Sequence, residues 1–385
     1  MKKFKYMDYW IFIPFIILSL FGVIMVYSAS ADYYLLNGIG AKSYLFKQLM
    51  FVLVGVLVVA FMFFLKESKL RDKRFLTYFA AAIFISYVYL LKWGQNINGA
   101  TGWISLGPIN VQPSEVCKFF FVIYLSNILS RHSERVEMEP NTFEYYKSPL
   151  ILVLVFVFLN FLQRDLGGTS INLAIALVIF LAAGLDYRKG IGFIFAGAAS
   201  FVVLLPIVVS KINVHTSNYM LQRLVGFAHP FELAKGAGNQ LVNSYYALGN
   251  GGVFGVGLGN SIQKKGYLPE ANTDFIMAVV SEELGLVTVL LLIGLLMTII
   301  FRAIRIGIRS NSMYHTLVCY GIATYFTIQT LFNVGGVTGM LPITGVTFPF
   351  ISYGGSSMLV LSACIGLLLN ISASEQKQKQ LELEQ

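Results

Sequence analysis

FIMAVVSEELGLVTVLLLIGLLMTIIF, residues 275–301, carries two adjacent acids, Glu282 and Glu283, and then 18 residues without a charge, Leu284 to Phe301. An apolar run of that length crosses the hydrocarbon of a bilayer as a helix. Outward from it the same pattern recurs near Trp10 to Ser28, Leu49 to Leu65, Leu76 to Leu91, Pro113 to Leu129, Leu150 to Leu162, Gly168 to Leu185, Ile191 to Val209, Thr316 to Phe332 and Val346 to Asn370. The fold expected is an all-α polytopic membrane protein of about ten transmembrane helices. A large extracytoplasmic loop, 210–272, lies between the seventh and eighth. Residues 1–371 read as a single transmembrane domain, and 372–385 as a polar, cytoplasmic and disordered tail.

Composition agrees. Of 385 residues 56% are hydrophobic and 12% charged, about half the charged share of a soluble protein. That excludes a secreted disulfide scaffold, a soluble Rossmann or barrel enzyme and a nucleic-acid reader. The formal charge of +9 is explained by topology: with the amino terminus cytoplasmic, the cytoplasmic segments hold 18 Lys and Arg and the outer ones nine, five of them in the long loop. Both termini are therefore expected in the cytoplasm. Lys2 and Lys3 precede an apolar run ending in Ala29-Ser30-Ala31, which is too long for a signal-peptide core and reads as an uncleaved span. Cys117, Cys319 and Cys364 read as buried free thiols. His132, His215, His229 and His315 lack metal-site spacing.

Within the loop, Leu241, Tyr245 and Leu248 recur at helical spacing among polar Asn239, Gln240, Asn243 and Ser244, an amphipathic helix expected at the outer interface. The glycines from Gly249 to Gly259 form a flexible stretch whose amides could approach a phosphate. No Gly-Lys-Ser/Thr follows, so it is not a nucleotide loop.

Eight acids lie outside the cytoplasmic segments, and four of them, Glu270, Asp274, Glu282 and Glu283, fall within fourteen residues. Asp274 stands where the loop becomes the eighth span, water-accessible yet open to an upward pKa shift, the place for a general base or else a helix cap. Glu282 and Glu283 point to other faces about 12 Å deeper and suit hydrogen bonding within the bundle. Glu115 and Lys118 share a helix face, as a buried ion pair or as a grip on an anionic head group. Asp165 suits a helix cap and Arg164 a cation at the outer surface. Arg223, amid apolar neighbours, reads as an interface anchor or a phosphate ligand. Gln329 and Asn333, four apart, face a cavity and bind sugar amides or bridge helices. The stretch Ile351 to Ser357, with Ser356 among its hydroxyls, packs helices closely or lines the cavity.

These segments, in order and spacing, resemble the SEDS family, the shape, elongation, division and sporulation proteins, over nearly the whole chain. The matching stretches are Asn98-Gly99-Ala100, Trp103-Ile104, Gln112-Pro113-Ser114-Glu115 with Lys118, Asp165-Leu166-Gly167, Leu268-Pro269-Glu270 through Thr273-Asp274-Phe275, Glu282-Glu283-Leu284-Gly285, Leu341-Pro342-Ile343-Thr344-Gly345 and Ile351-Ser352-Tyr353-Gly354-Gly355-Ser356-Ser357. Gly257-Leu258-Gly259-Asn260-Ser261 is more similar to the division branch than to the elongation branch. The resemblance implies a peptidoglycan glycosyltransferase that polymerises lipid II at the outer face of the bacterial cytoplasmic membrane. It also implies a class b penicillin-binding transpeptidase as partner, together with other membrane proteins of the divisome or elongation complex, and no nucleic acid.

By the same resemblance Asp274 is the catalytic residue, and Glu115, Lys118 and Asp165 are polar positions of a central cavity. The acceptor's 4-hydroxyl would displace undecaprenyl diphosphate with inversion, Lys118, Arg164 and Arg223 facing the leaving diphosphate. No motif demands a cofactor. A divalent cation (Mg or Mn) on Asp274 and Glu270 stays open. The chain departs from the family pattern at Gly102, where many members have Arg; at Arg164, which stands in place of Pro and would compensate for the Arg absent at Gly102; and at Asn272, where His is common. A lipid II flippase and a non-catalytic scaffold are the competing readings.

Overall fold

The computed structural model describes residues 2–31, 40–94, 102–107, 109–136, 142–184 and 219–384, with three isolated residues at 188, 192 and 207. The expected seventh span, Ile191 to Val209, lies outside them apart from residues 192 and 207, and Asp32 and Asn98-Gly99-Ala100 lie outside them altogether. Among the described residues nine long helices run through the bundle: α1 (Tyr9–Ala29), α2 (Ala41–Phe64), α4 (Lys73–Trp93), α5 (Pro113–Val136), α6 (Thr142–Leu162), α7 (Leu166–Ala182), α10 (Ile276–Arg309), α11 (Met313–Val337) and α12 (Gly355–Leu383). Six of these, α1, α2, α4, α10, α11 and α12, are long and apolar enough to cross a membrane, and α6 and α7 hold shorter apolar stretches. α5 is less apolar because Glu115 and Lys118 sit in its first turns. Short elements complete the set: α3 (Glu67–Leu70), the hairpin β1 (Ile104–Leu106) and β2 (Ile109–Val111), α8 (Tyr219–Ala228) and α9 (Asn239–Gly251).

α11 and α12 form the centre, α11 packing on α10, α7 and α5 while α12 packs on α2. One end of the bundle is tied by Asp8, which accepts from Arg302 Nε at 2.6 Å and Ser372 Oγ at 3.0 Å. The other end carries Asp274. At 34 residues α10 is about 51 Å long, well beyond the roughly 30 Å of hydrocarbon, and it breaks at Gly285, whose φ is +77°. Residues 276–283 before the break are all buried, and exposed Leu286, Val287, Leu290 and Leu291 begin only after it.

Four expectations are revised here. The glycine stretch does not offer its amides to a ligand: Val256 N and Gly257 N donate to the carbonyls of Glu282 and Glu283, and Leu286 N and Val287 N donate to those of Gly252 and Val253. The loop thus satisfies the backbone that the break frees, as buried polar groups require. The amphipathic helix exists as α9, but Leu241, Val242, Ser244 and Ala247 are buried against α10 and α11 rather than laid on lipid. The last span starts at Gly355, nine residues later than its apolar pattern suggests, because 346–354 is a non-helical wall. The tail is helical through Leu383, with Glu375 hydrogen-bonded to His315 Nδ1 at 2.7 Å and Gln380 to Tyr6 at 2.6 Å.

Candidate active site

At the Asp274 end lies a cavity of about 800 Å³ whose walls carry four cations, Lys47, Lys118, Arg164 and Arg223, and four carboxylates, Glu115, Asp165, Glu270 and Asp274. Each is placed by a local reason. Asp274 closes a turn segment just before α10. Phe275, not Asp274, is the residue that caps that helix, so the carboxylate is not committed to capping. It is 8% exposed and accepts from Thr273 Oγ1 at 3.1 Å. Thr273 Oγ1 also lies 2.8 Å from Glu270 Oε2. Burial pushes the Asp274 carboxyl up to about 6, with Arg223 opposing the rise and Glu270 adding to it.

The segment holding Asp274 is itself pinned. Asn272 Nδ2 donates to Ser30 Oγ at 3.0 Å, Tyr353 N donates to the Asn272 carbonyl at 2.9 Å, and Asn333 Nδ2 donates to the Asp274 carbonyl at 2.7 Å. Asn333 therefore stands behind the cavity wall, holding the backbone of Asp274 and of Val346, at 2.8 Å. Gln329 is likewise buried, its Nε2 on the Thr347 carbonyl at 3.0 Å. Both are corrections: neither lines the cavity. Their four-residue spacing on α11 was legible, but which side of the wall they take depends on the non-helical stretch 346–354.

Glu115 and Lys118 meet at 2.5 Å, Lys118 being 1% exposed, and Tyr325 donates to Glu115 Oε2 at 2.8 Å beneath them. A one-turn offset on α5 makes the pair, and the apolar surroundings make the pairing necessary. Asp165 caps α7 by accepting from Gly168 N at 2.7 Å, and takes Ser114 Oγ at 2.7 Å and Gln112 Nε2 at 3.2 Å. Arg164, in a left-handed turn with φ +63°, projects beside it and has no ion pair among the described residues. Gly102, the position without the family's Arg, lines the same cavity. Arg223 on α8 donates to the Ile343 carbonyl at 3.2 Å. Gly345 lets it pass: its φ is +75°, and a Cβ there would lie 3.1 Å from Nη1. Ser356 Oγ donates to the Asn110 carbonyl at 2.6 Å and accepts from Gln112 N at 3.1 Å, fastening the hairpin to α12.

Glu282 and Glu283 lie outside the cavity. Glu282 takes Asn250 Nδ2 at 2.9 Å, Ser261 Oγ and Ile262 N at 3.0 Å, and Glu283 takes Lys264 Nζ at 2.7 Å and Ser28 Oγ. Sequence reasoning missed Lys47, whose place at the start of an apolar run looks like an interface anchor, and Thr347, which had no polar pattern. Among the described residues no three His, Cys, Asp or Glu side chains stand together as a metal site. Asp274 and Glu270 alone supply too few oxygens for a caged divalent ion.

A buried, raised carboxylate thus faces cations in one cavity, and comparison with known proteins shows the family of the chain. The sequence model covering FtsW, RodA and SpoVE, described as "Cell cycle protein", matches residues 8–377. The chain belongs to the FtsW/RodA/SpoVE family. Relatives named "Probable peptidoglycan glycosyltransferase FtsW" include those of Lactococcus lactis, 34% identical over 100% of this chain and 96% of the relative, and Bacillus subtilis, 33% identical over 98% and 94%. In solved structures, the family fold recurs in RodA of Thermus thermophilus, with a TM-score of 0.67, 24% identity and coverage of 95% of this chain and 96% of that one. It recurs also in a structure described as "Structural coordination of polymerization and crosslinking by a peptidoglycan synthase complex", with a TM-score of 0.74, 24% identity and coverage of 96% and 98%. This FtsW/RodA chain is thus an all-α, multi-pass membrane protein.

Proposed function

We propose that the chain does what its FtsW relatives are named for, as a peptidoglycan glycosyltransferase, and that the chemistry takes place in the cavity around Asp274. The observation that carries this is the Asp274 carboxyl, raised to about 6 in a buried site that also presents four cations. A base working near neutral pH and cations for a departing diphosphate are what glycosyl transfer from a lipid diphosphate requires. Asp274 accepts the proton of the acceptor's 4-hydroxyl as that oxygen attacks the anomeric carbon of lipid II. The bond to undecaprenyl diphosphate breaks with inversion, and its charge develops toward Arg223, Arg164, Lys47 and Lys118. Arg164 takes the part that Gly102 leaves vacant. Glu115 and Asp165 hold Lys118 and the α7 turn in position, Glu270 holds Thr273, and Ser356 keeps the hairpin wall closed.

In this reading residues 1–371 form one SEDS-type domain, 210–272 its outer loop and 372–385 its cytoplasmic tail. Both termini face the cytoplasm and the cavity faces outward, as the 18 to nine distribution of Lys and Arg favours. Division is the process favoured by the FtsW names of the relatives. A class b penicillin-binding transpeptidase is the partner, a reading supported by the likeness to a synthase complex described for both polymerization and crosslinking. The charged side chains of the Asp274 cavity gather at one end of the bundle, which suits chemistry at a membrane face better than carriage across the bilayer. The test is polymerisation of purified lipid II by the wild type and by Asp274→Asn, each with the transpeptidase, products separated on a gel and lipid II binding measured in parallel. Long glycan from the wild type alone, with binding retained in the variant, is expected; polymer from both refutes the role of Asp274.

A further inference from the structure

More than about 40 Å along α10 from Asp274, at the Asp8 end, a second cavity of about 170 Å³ opens between α10 and α12. Its wall on α10 is Arg302, Arg305 and Arg309, and its wall on α12 includes Ser372, Gln376 and Lys379. At 100° per residue the three arginines fall within an arc of about 60°, and the three α12 residues share one face, so two polar stripes meet across the cleft. Arg302 is already paired with Asp8, and the remaining acid, Glu375, is engaged by His315 and by Ser310 Oγ at 2.5 Å. Arg305, Arg309 and Lys379 have no ion pair among the described residues, and all three are exposed. The cleft therefore presents surplus positive charge with its own carboxylates spent.

Its location names the ligand. Phe301 and Ile308, four before and three after Arg305, are 62% and 68% exposed. They continue the exposed apolar face of Leu286, Val287, Leu290 and Leu291 on a helix long and apolar enough to cross the membrane. Arg305 thus borders the lipid-facing stripe at the end of that stripe, where a long basic side chain reaches headgroup depth. We propose that this cleft binds the phosphate of an anionic phospholipid, with Arg305, Arg309 and Lys379 on the phosphodiester and the acyl chains lying along Phe301 and Ile308. A zwitterionic headgroup brings an ammonium for which the cleft has no unengaged carboxylate.

The full-length protein in detergent is titrated with phosphatidylglycerol, phosphatidylcholine and inorganic phosphate, and bound molecules are counted by native mass spectrometry. One saturable phosphatidylglycerol, bound at least about tenfold more tightly than phosphatidylcholine, is expected, since each basic residue near a membrane surface contributes measurably to anionic lipid binding. Replacing all three residues, as Arg305→Gln, Arg309→Gln and Lys379→Gln together, should abolish that preference with an unchanged melting temperature. Arg305→Lys with Arg309→Lys should retain most of it, and Lys265→Gln at the opposite end should leave it intact. Equal binding of both lipids, retention of the preference in the triple glutamine variant, or displacement of the lipid by inorganic phosphate would each overturn the proposal, the last marking a free-anion site.

Discussion

Asp274 is held by two opposing influences, burial that raises its carboxyl to about 6 and Arg223 that resists the rise. Because the folded value lies above the usual 3.8, the charged form is the one the fold disfavours, so Asp274 contributes a penalty at neutral pH that is relieved as pH falls from about 6 toward 4. Asp274→Asn is therefore expected to lose polymerisation by roughly 10²- to 10⁴-fold while melting, by thermal unfolding in detergent at neutral pH, no lower than the wild type. Glu115 and Lys118 behave oppositely. Removing either charge strands the other in an apolar site, at a cost of about 3–5 kcal/mol, whereas replacing both with groups of similar volume restores much of the loss. Lys118→Met should thus melt well below the double variant Glu115→Gln/Lys118→Met, and a double variant no better than the single would contradict the buried pair. Asp274 was legible because acids are rare outside the cytoplasmic segments; the pairing of Glu115 was legible from spacing alone. That Asn333 holds a backbone rather than a sugar was not, since helical periodicity fixes a face but not what the non-helical 346–354 lays against it.

The break in α10 ties residues 252–257 to the short helical stretch that follows Asp274. Gly285 cannot carry a side chain: beyond its positive φ, a Cβ would lie 2.3 Å from the Val253 carbonyl oxygen. Gly285→Ala should leave little folded protein by size-exclusion of detergent extracts, whereas Gly294→Ala, with nothing within 4 Å of its Cβ, should be recovered normally. The sequence reads straight through 275–301 as one span because Gly285 sits in an otherwise apolar helical pattern, and a single glycine is tolerated inside helices. The partner strand of backbone that makes the break stable, 252–257, is distant in sequence and reveals itself only in three dimensions. The late start of α12 was hidden for a related reason: Val346, Phe348, Phe350 and Ile351 are apolar and buried yet belong to the non-helical stretch 346–354, so burial without helical geometry mimicked a span.

For the whole molecule, the all-α polytopic class followed from charge content and run length, while the course of the large loop did not, because Ser244, Asn250, Ser261 and Lys264 bond to partners on α10 and α11 that no local pattern announces. The proposed orientation has a direct check. Cys117, Cys319 and Cys364 are fully buried, so introduced cysteines report on a quiet background. Phe254→Cys, at 81% exposure on the Asp274 side, should react with an impermeant maleimide in intact cells, and Leu383→Cys, at 88%, only after the membrane is opened. The reverse pattern would invert the topology. The central claim, that Asp274 acts as the base for glycan growth, is tested most directly by the initial rate of lipid II polymerisation as a function of pH. The wild-type rate should fall on the acid side with a midpoint near 6, and the residual rate of Asp274→Asn should show no such midpoint; a wild-type profile flat between about 5 and 7, or the same inflection in the variant, would rule Asp274 out as the base.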